Sequence, residues 1–162
     1  MIARAWCVIA GVLWTATIIA LGWLFVMGWT TPGTDGRTGI ILAPSERDLI
    51  LAEMRDLLKG VNGVLTGLGD SEEKREQAEQ AARSVGMSMA ADVSPTLMAK
   101  LPLAFKQMGM SVHRDMDGLA DGIVAGEPLP KILSRLSSIT TRCTTCHDMY
   151  QFIADNTGRR GG

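Results

Sequence analysis

Apolar and polar positions are distributed along this chain in two different ways. No charged residue occurs between Arg4 and Asp35, and residues 6–27 are apolar almost without interruption. About 22 residues at 1.5 Å rise make a helix of roughly 33 Å, close to the hydrocarbon thickness of a bilayer. From residue 45 onward the apolar residues recur instead every three or four positions, as they do on one face of an amphipathic helix. A first such stretch opens at Ser45, after Pro44, and carries Leu51, Met54, Leu57 or Leu58, Val61, Val64 or Leu65, and Leu68 before Gly69. Asp70 with Glu73 resembles a capping pair for a second helix that runs to about Ala91. Ser94 and Pro95 form a cap and first-turn signal. A third long stripe follows Pro102 through Phe105, Met108 or Gly109, Val112, Met116, Leu119 and Ile123 to about Ala125. After the break at 126–130, Ile132, Leu133, Leu136, Ile139, Cys143, Cys146, His147 and Tyr150 continue a fourth. No alternating pattern competes with these stripes, and the expectation is an all-α chain: a single transmembrane helix followed by an antiparallel four-helix bundle.

The stretch 30–44, TTPGTDGRTGIILAP, is rich in Gly, Thr and Pro and reads as an irregular linker. The expected division is therefore a transmembrane anchor over 1–29, a linker over 30–44, a helical domain over 45–156 and a flexible tail over 157–162. On this division a fragment beginning at Ser45 should fold by itself.

Composition adds the solvent in which each part sits. All four Trp (6, 14, 23 and 29) lie in the first thirty residues, and three of them fall near the ends of the apolar segment, where interfacial aromatic belts form. The segment is longer than the usual apolar region of a signal peptide, and no compact small-residue cleavage site follows Met27. Arg4, alone on its flank, places the N-terminus in the cytoplasm and the remainder in the periplasm by the positive-inside bias. The expected location is thus the bacterial inner membrane, with membrane lipid as one partner. Sixteen basic and seventeen acidic residues nearly cancel, which argues against nucleic acid as a partner. Cys7, inside the apolar segment, reads as a small lipid-facing residue. The ten Met are spread through all the helical stretches, as flexible core filler would be.

The chemistry concentrates at Cys143-Thr144-Thr145-Cys146-His147, the C-x-x-C-H pattern of c-type haem attachment. On a helix, positions 143, 146 and 147 share a face, so two thiols can add to the two haem vinyl groups while the imidazole reaches the iron. Zinc would need four ligands, and beyond this cluster the chain offers only His113 and Cys7 as typical soft donors. A thioredoxin-type pair would sit beside a βαβ pattern, which is absent from the sequence pattern. No nucleophile–base pair, phosphate loop or carboxylate couple points to an enzyme. One covalent haem c is the expected cofactor.

The residues CTTCHDMY, with Tyr150 closing the motif, the stretch LAEMRDLLKGVNGVLTGLGD and the stretch KLPLAFKQMGMSVHRDMDGLAD together resemble cytochrome c′ and its low-spin class II relatives over about 45–155. The resemblance implies a haem lying among four helices, with the motif on the last. It also implies a second axial ligand from Met54 on the first helix, and pairing of two copies through the first two helices as a homodimer. Leu51, Leu57 and Val61 would then wall the haem face. His113 is the alternative second ligand, and Arg142 or Arg114 could pair with propionates. Gas-binding members usually have Arg or Lys four residues after the motif histidine, where this chain has Gln151. The function expected is one-electron transfer in a respiratory or photosynthetic chain, with redox proteins or a larger membrane complex as partners. The alternative is a gas-binding module, for NO or CO, with five-coordinate haem.

Overall fold

A computed structural model of the chain describes residues 2–69, 71–90 and 93–155. It is mainly helical, and its first helix, α1 (Ile2–Met27), is long and apolar enough over Trp6–Met27 to cross a membrane. Its large side chains are exposed to an unusual degree, Trp6 and Trp14 at 69% each. Nothing polar disturbs it: the hydroxyls of Thr15 and Thr17 donate to the carbonyls of Gly11 and Leu13 one turn back, at 2.9 Å.

The stretch expected to be an irregular linker is ordered and paired. β1 (Thr30–Pro32) and β2 (Thr38–Leu42) form an antiparallel hairpin, with Thr30 opposite Ile40 and Pro32 opposite Thr38. The turn closes where Gly33 N–H donates to the Arg37 carbonyl, Asp35 accepts from Arg37, and Gly36 takes φ +86°, which favours glycine. A third strand, β3 (Tyr150–Ala154), joins β2 in parallel and gives the order β1-β2-β3. The last helix therefore stops at Met149, and Tyr150 belongs to a strand. Ile40 and Leu42 are fully buried, so the structural domain begins well before Ser45.

α2 (Pro44–Gly67) starts with Pro44 in its first turn, while the Glu46 carboxylate accepts from Ala43 N–H at 2.9 Å. Ala43 has no side-chain acceptor, so only this half of a reciprocal cap exists. One face of α2 carries Gly60, Gly63 and Gly67. A Cβ on Gly60 would lie 2.5 Å from a Val85 methyl and one on Gly67 2.7 Å from the Ala78 nitrogen, so the glycines let α3 (Glu72–Arg83) approach closely. Ser71, accepting from Lys74 N–H, caps α3; the expected cap residue Asp70 lies outside the described residues. The second helix ends earlier than expected. A turn at 84–86 separates α3 from the short α4 (Met87–Ala90), whose first amide donates to the Asp117 carboxylate at 2.8 Å. Ala91, the expected end, also lies outside the described residues.

Ser94 caps α5 (Pro95–Lys100) through Leu97 N–H. α6 (Leu103–Val124) buries the expected stripe of Phe105, Val112, Met116, Leu119 and Ile123, and α7 (Leu129–Met149) buries Ile132, Leu136 and Ile139. Leu133 is 43% exposed and lies outside the core it was expected to join. In the turn between α6 and α7, Glu127 is bonded by Arg135 and Lys131, which hold its carboxyl down at about 2.

α2 packs along α3, α3 along α6, and α6 along α7. One apolar core fills the space among these four helices, from Val64 and Ala78 to Met116 and Ile139. A second core lies under the sheet and contains Ile40, Leu42, Ile50, Leu97, Leu101 and Phe105.

Candidate functional site

The last two turns of α7 bring the motif between the two cores. Cys143 packs against the four-helix core, as do Leu57 and Val61 of α2. Cys146 packs against the core under the sheet, together with Met54 of α2 and Tyr150. Both thiols are free and half-buried. Burial raises the pKa of both; Cys146, with Cys143 beside it, reaches about 11. These thiols stay protonated at neutral pH, unlike the low-pKa thiol of a dithiol redox pair. His147 is exposed, and its ring has no hydrogen-bond partner among the described residues.

The other expected site residues separate into those that are available and those already engaged. Leu51, Met54, Leu57 and Val61 are half-buried along α2. Leu58 and Leu65 extend their side of the helix at 69% and 50% exposure, so this apolar seam lacks a complete protein cover. Tyr150 stacks edge-on against Phe105, with ring centroids 5.4 Å apart, and Phe105 meets Phe152 in the same way at 5.8 Å. Arg142 is paired with the Asp115 carboxylate. His113 is only 2% exposed and uses both ring nitrogens, Nδ1 on the Val85 carbonyl and Nε2 on a Glu53 carboxylate oxygen, each at 2.8 Å. Both contacts are to oxygens, an arrangement that favours the doubly protonated ring when Glu53 is ionised. Burial pulls its pKa down, but Glu53 and the Val85 carbonyl outweigh that and the net shift is upward.

Arg37 is the neighbour that sequence reasoning passed over. From the hairpin turn it donates to the His147 carbonyl at 3.4 Å and to the Gln151 side chain at 3.3 Å, while Gln151 donates to Asp35 at 3.1 Å. Only the pairing of β2 with β3 brings a residue 110 positions away to the motif, and neither strand was read from the sequence. Beside the site, a cavity of about 90 Å³ lies between α2, α5 and α6 and is lined by Met54, Leu57, Met98, Phe105, Met110 and His113 among others.

Among the described residues no three His, Cys, Asp or Glu side chains converge as a metal-binding set. No family model matches the chain, and no curated protein or solved structure is similar to it at a significant level. The structure places both thiols and the Met54 thioether against the two apolar cores, while the His147 ring lies exposed on α7.

Proposed function

We propose that this protein is a membrane-anchored c-type cytochrome that transfers single electrons in a respiratory or photosynthetic chain, as a subunit or fixed partner of a larger membrane complex. The observation that supports this most is the motif on α7: two free, half-buried thiols that pack against the same apolar cores as Met54, Leu57 and Val61, followed at once by an exposed imidazole whose ring has no hydrogen-bond partner among the described residues. This donor set fits a covalent haem. Cys143 and Cys146 would hold it through thioethers, His147 and Met54 would ligate its iron, and Leu51, Leu57 and Val61 would cover it with apolar surface. When bound, such a group accepts and releases one electron at a potential set by its ligands and burial.

The rest of the work belongs to the chain. α2, α3, α6 and α7 act as the four helices of the haem-binding bundle. The bonds of His113 to Val85 and Glu53 occupy both of its ring nitrogens, which favours Met54 over His113 as the second ligand. Arg37 fixes the backbone at His147 by donating to its carbonyl, and the Tyr150–Phe105 contact closes the site beneath Cys146. Covalent haem attachment in bacteria takes place outside the cytoplasm, which puts the domain in the periplasm and α1 in the inner membrane.

Replacing both Cys143 and Cys146 by Ala tests this reading. Expressed in a host that matures c-type cytochromes, the parent chain should keep its haem through acid extraction and the double variant should lose all of it. A parent chain whose mass is that of polypeptide alone contradicts the proposal.

A further inference from the structure

α1 was expected to be tied to the domain by an irregular linker, yet its end is built into the domain. Lys106 on α6 is 7% exposed, donates through Nζ to the carbonyls of Phe25 and Met98 at 3.2 Å each, and lies 3.8 Å from the centre of the Phe25 ring. A cation there meets the negative end of the α1 dipole and a carbonyl that the helix leaves free. Gly28 follows with φ +66°, and a Cβ there would collide with the backbone of Lys100, Leu101 and Pro102. Trp29 then enters backbone pairing on both sides: its N–H donates to the Lys100 carbonyl at 2.8 Å and its carbonyl accepts from Ile41 N–H at 2.9 Å. Lys100 lies over the Trp29 ring and is bonded to both oxygens of Glu46 at 2.7 and 2.8 Å. No freely rotating residue remains between the membrane helix and the sheet.

We propose that α1 is a strut: the Lys106–Phe25 clamp and the pairing of Trp29 lock the domain to the membrane helix in one orientation, so its motif face fits an integral membrane partner. The sheet sets the reach. Leu42 and Ala154 are partners next to Ile41, whose amide bonds Trp29, whereas Tyr150, three residues after His147, pairs with Thr38 at the other end. Three residue steps from Ile41 to Thr38 put the motif end about 10 Å from the joint along the sheet. Lys106 reaches a carbonyl within the last turn of α1, so the corner between α5 and α6 sits in the headgroup layer beside that turn. A face held this way meets proteins that share the bilayer, and a periplasmic carrier gains nothing from the constraint. The choice of partner rests on the electron-transfer reading; the joint does not.

The test uses the full chain in phosphatidylcholine nanodiscs and follows amide hydrogen exchange residue by residue. The Trp29 and Ile41 amides should exchange at least about a hundredfold more slowly than unstructured amides. Lys106→Met should speed Trp29 exchange about tenfold, the loss of roughly one hydrogen bond's contribution, with protection in α6 and α7 unchanged. If Lys106→Met unfolds the domain, Gly28→Ala, which strains the joint from the other side, must give the same local loss. Full exchange of Trp29 in the parent chain within the dead time overturns the strut. For the partner, a flexible Gly-Ser insertion between Met27 and Gly28 should slow haem reduction by respiring native membranes several-fold while leaving reduction by dithionite unchanged. Equal rates with membranes overturn that part. A chain without covalent haem, seen from its mass, refutes the electron-transfer reading and leaves the exchange result standing by itself.

Discussion

Met54 packs with Cys146 and Tyr150 on the core beneath the sheet, while its neighbour on the chain, Glu53, binds His113. The two α2 residues therefore differ in what they touch: Glu53 holds the buried imidazole, and Met54 lines the cavity between α2, α5 and α6. Met54→Ala should convert a low-spin haem into a high-spin one that binds carbon monoxide in the ferrous state, whereas His113→Gln should leave the spin state unchanged. A visible spectrum of each variant with and without carbon monoxide checks this. The same truncation should cost about 1–2 kcal/mol in a denaturant titration, since the side chain is half-buried. His113 also sets a pH dependence. Its folded pKa lies above the ordinary 6.5, so its contribution to stability is complete below about pH 6.5 and disappears as the pH rises through the folded value. Denaturation midpoints measured from pH 6 to 9 should fall in the parent chain and vary less in His113→Gln.

At the scale of elements, the long helices were legible because their stripes repeat over many turns; the buried residues of α6 and α7 are largely those the spacing marks. The sheet was not legible. TGIIL shows no apolar–polar alternation: Ile40 and Leu42, on one face of β2, are at 0% exposure, Ile41 on the other face is half-buried, and three apolar residues in a row read alike as strand or as helix fragment. β1 has three residues, and β3 continues the helical stripe of α7 without a break in composition. The end of α3 was hidden in the same way: Ser84, Val85 and Gly86 interrupt the helix because Asp117, thirty residues on, binds the amide of Met87. At the site, Cys143, Cys146 and His147 were legible as a motif, and Met54 only by resemblance to a family. Arg37 depended on strand pairing and could not be read. The hairpin makes a firm demand on truncation. A soluble fragment starting at Ser45 loses β1, β2 and the burial of Ile40 and Leu42, together worth roughly 3–6 kcal/mol of apolar contact. It should be unfolded or aggregated by circular dichroism and size-exclusion chromatography. A fragment starting at Gly28 keeps both strands and should fold.

For the whole molecule, the central claim is that the α7 face and the α2 seam together hold one haem by covalent bonds. The exposed Leu58 and Leu65, the unpartnered His147 and the protonated thiols are separate features that such a group would explain together. Ligation of the iron by Met54, as proposed, would distinguish an electron carrier from a gas-binding module, whose iron needs an open face. Gln151, tied to Asp35 and to Arg37, is not the cation that gas-binding cytochromes c′ usually carry at that place. The most direct measurement is the visible absorption spectrum, in both oxidation states, of the full-length protein purified from membranes of a host that matures c-type cytochromes, before and after acid extraction. The account predicts haem bands that remain with the polypeptide after extraction, and low-spin spectra in the ferric and ferrous states of the unextracted protein. A colourless chain, or haem that leaves entirely with the acid, would contradict it.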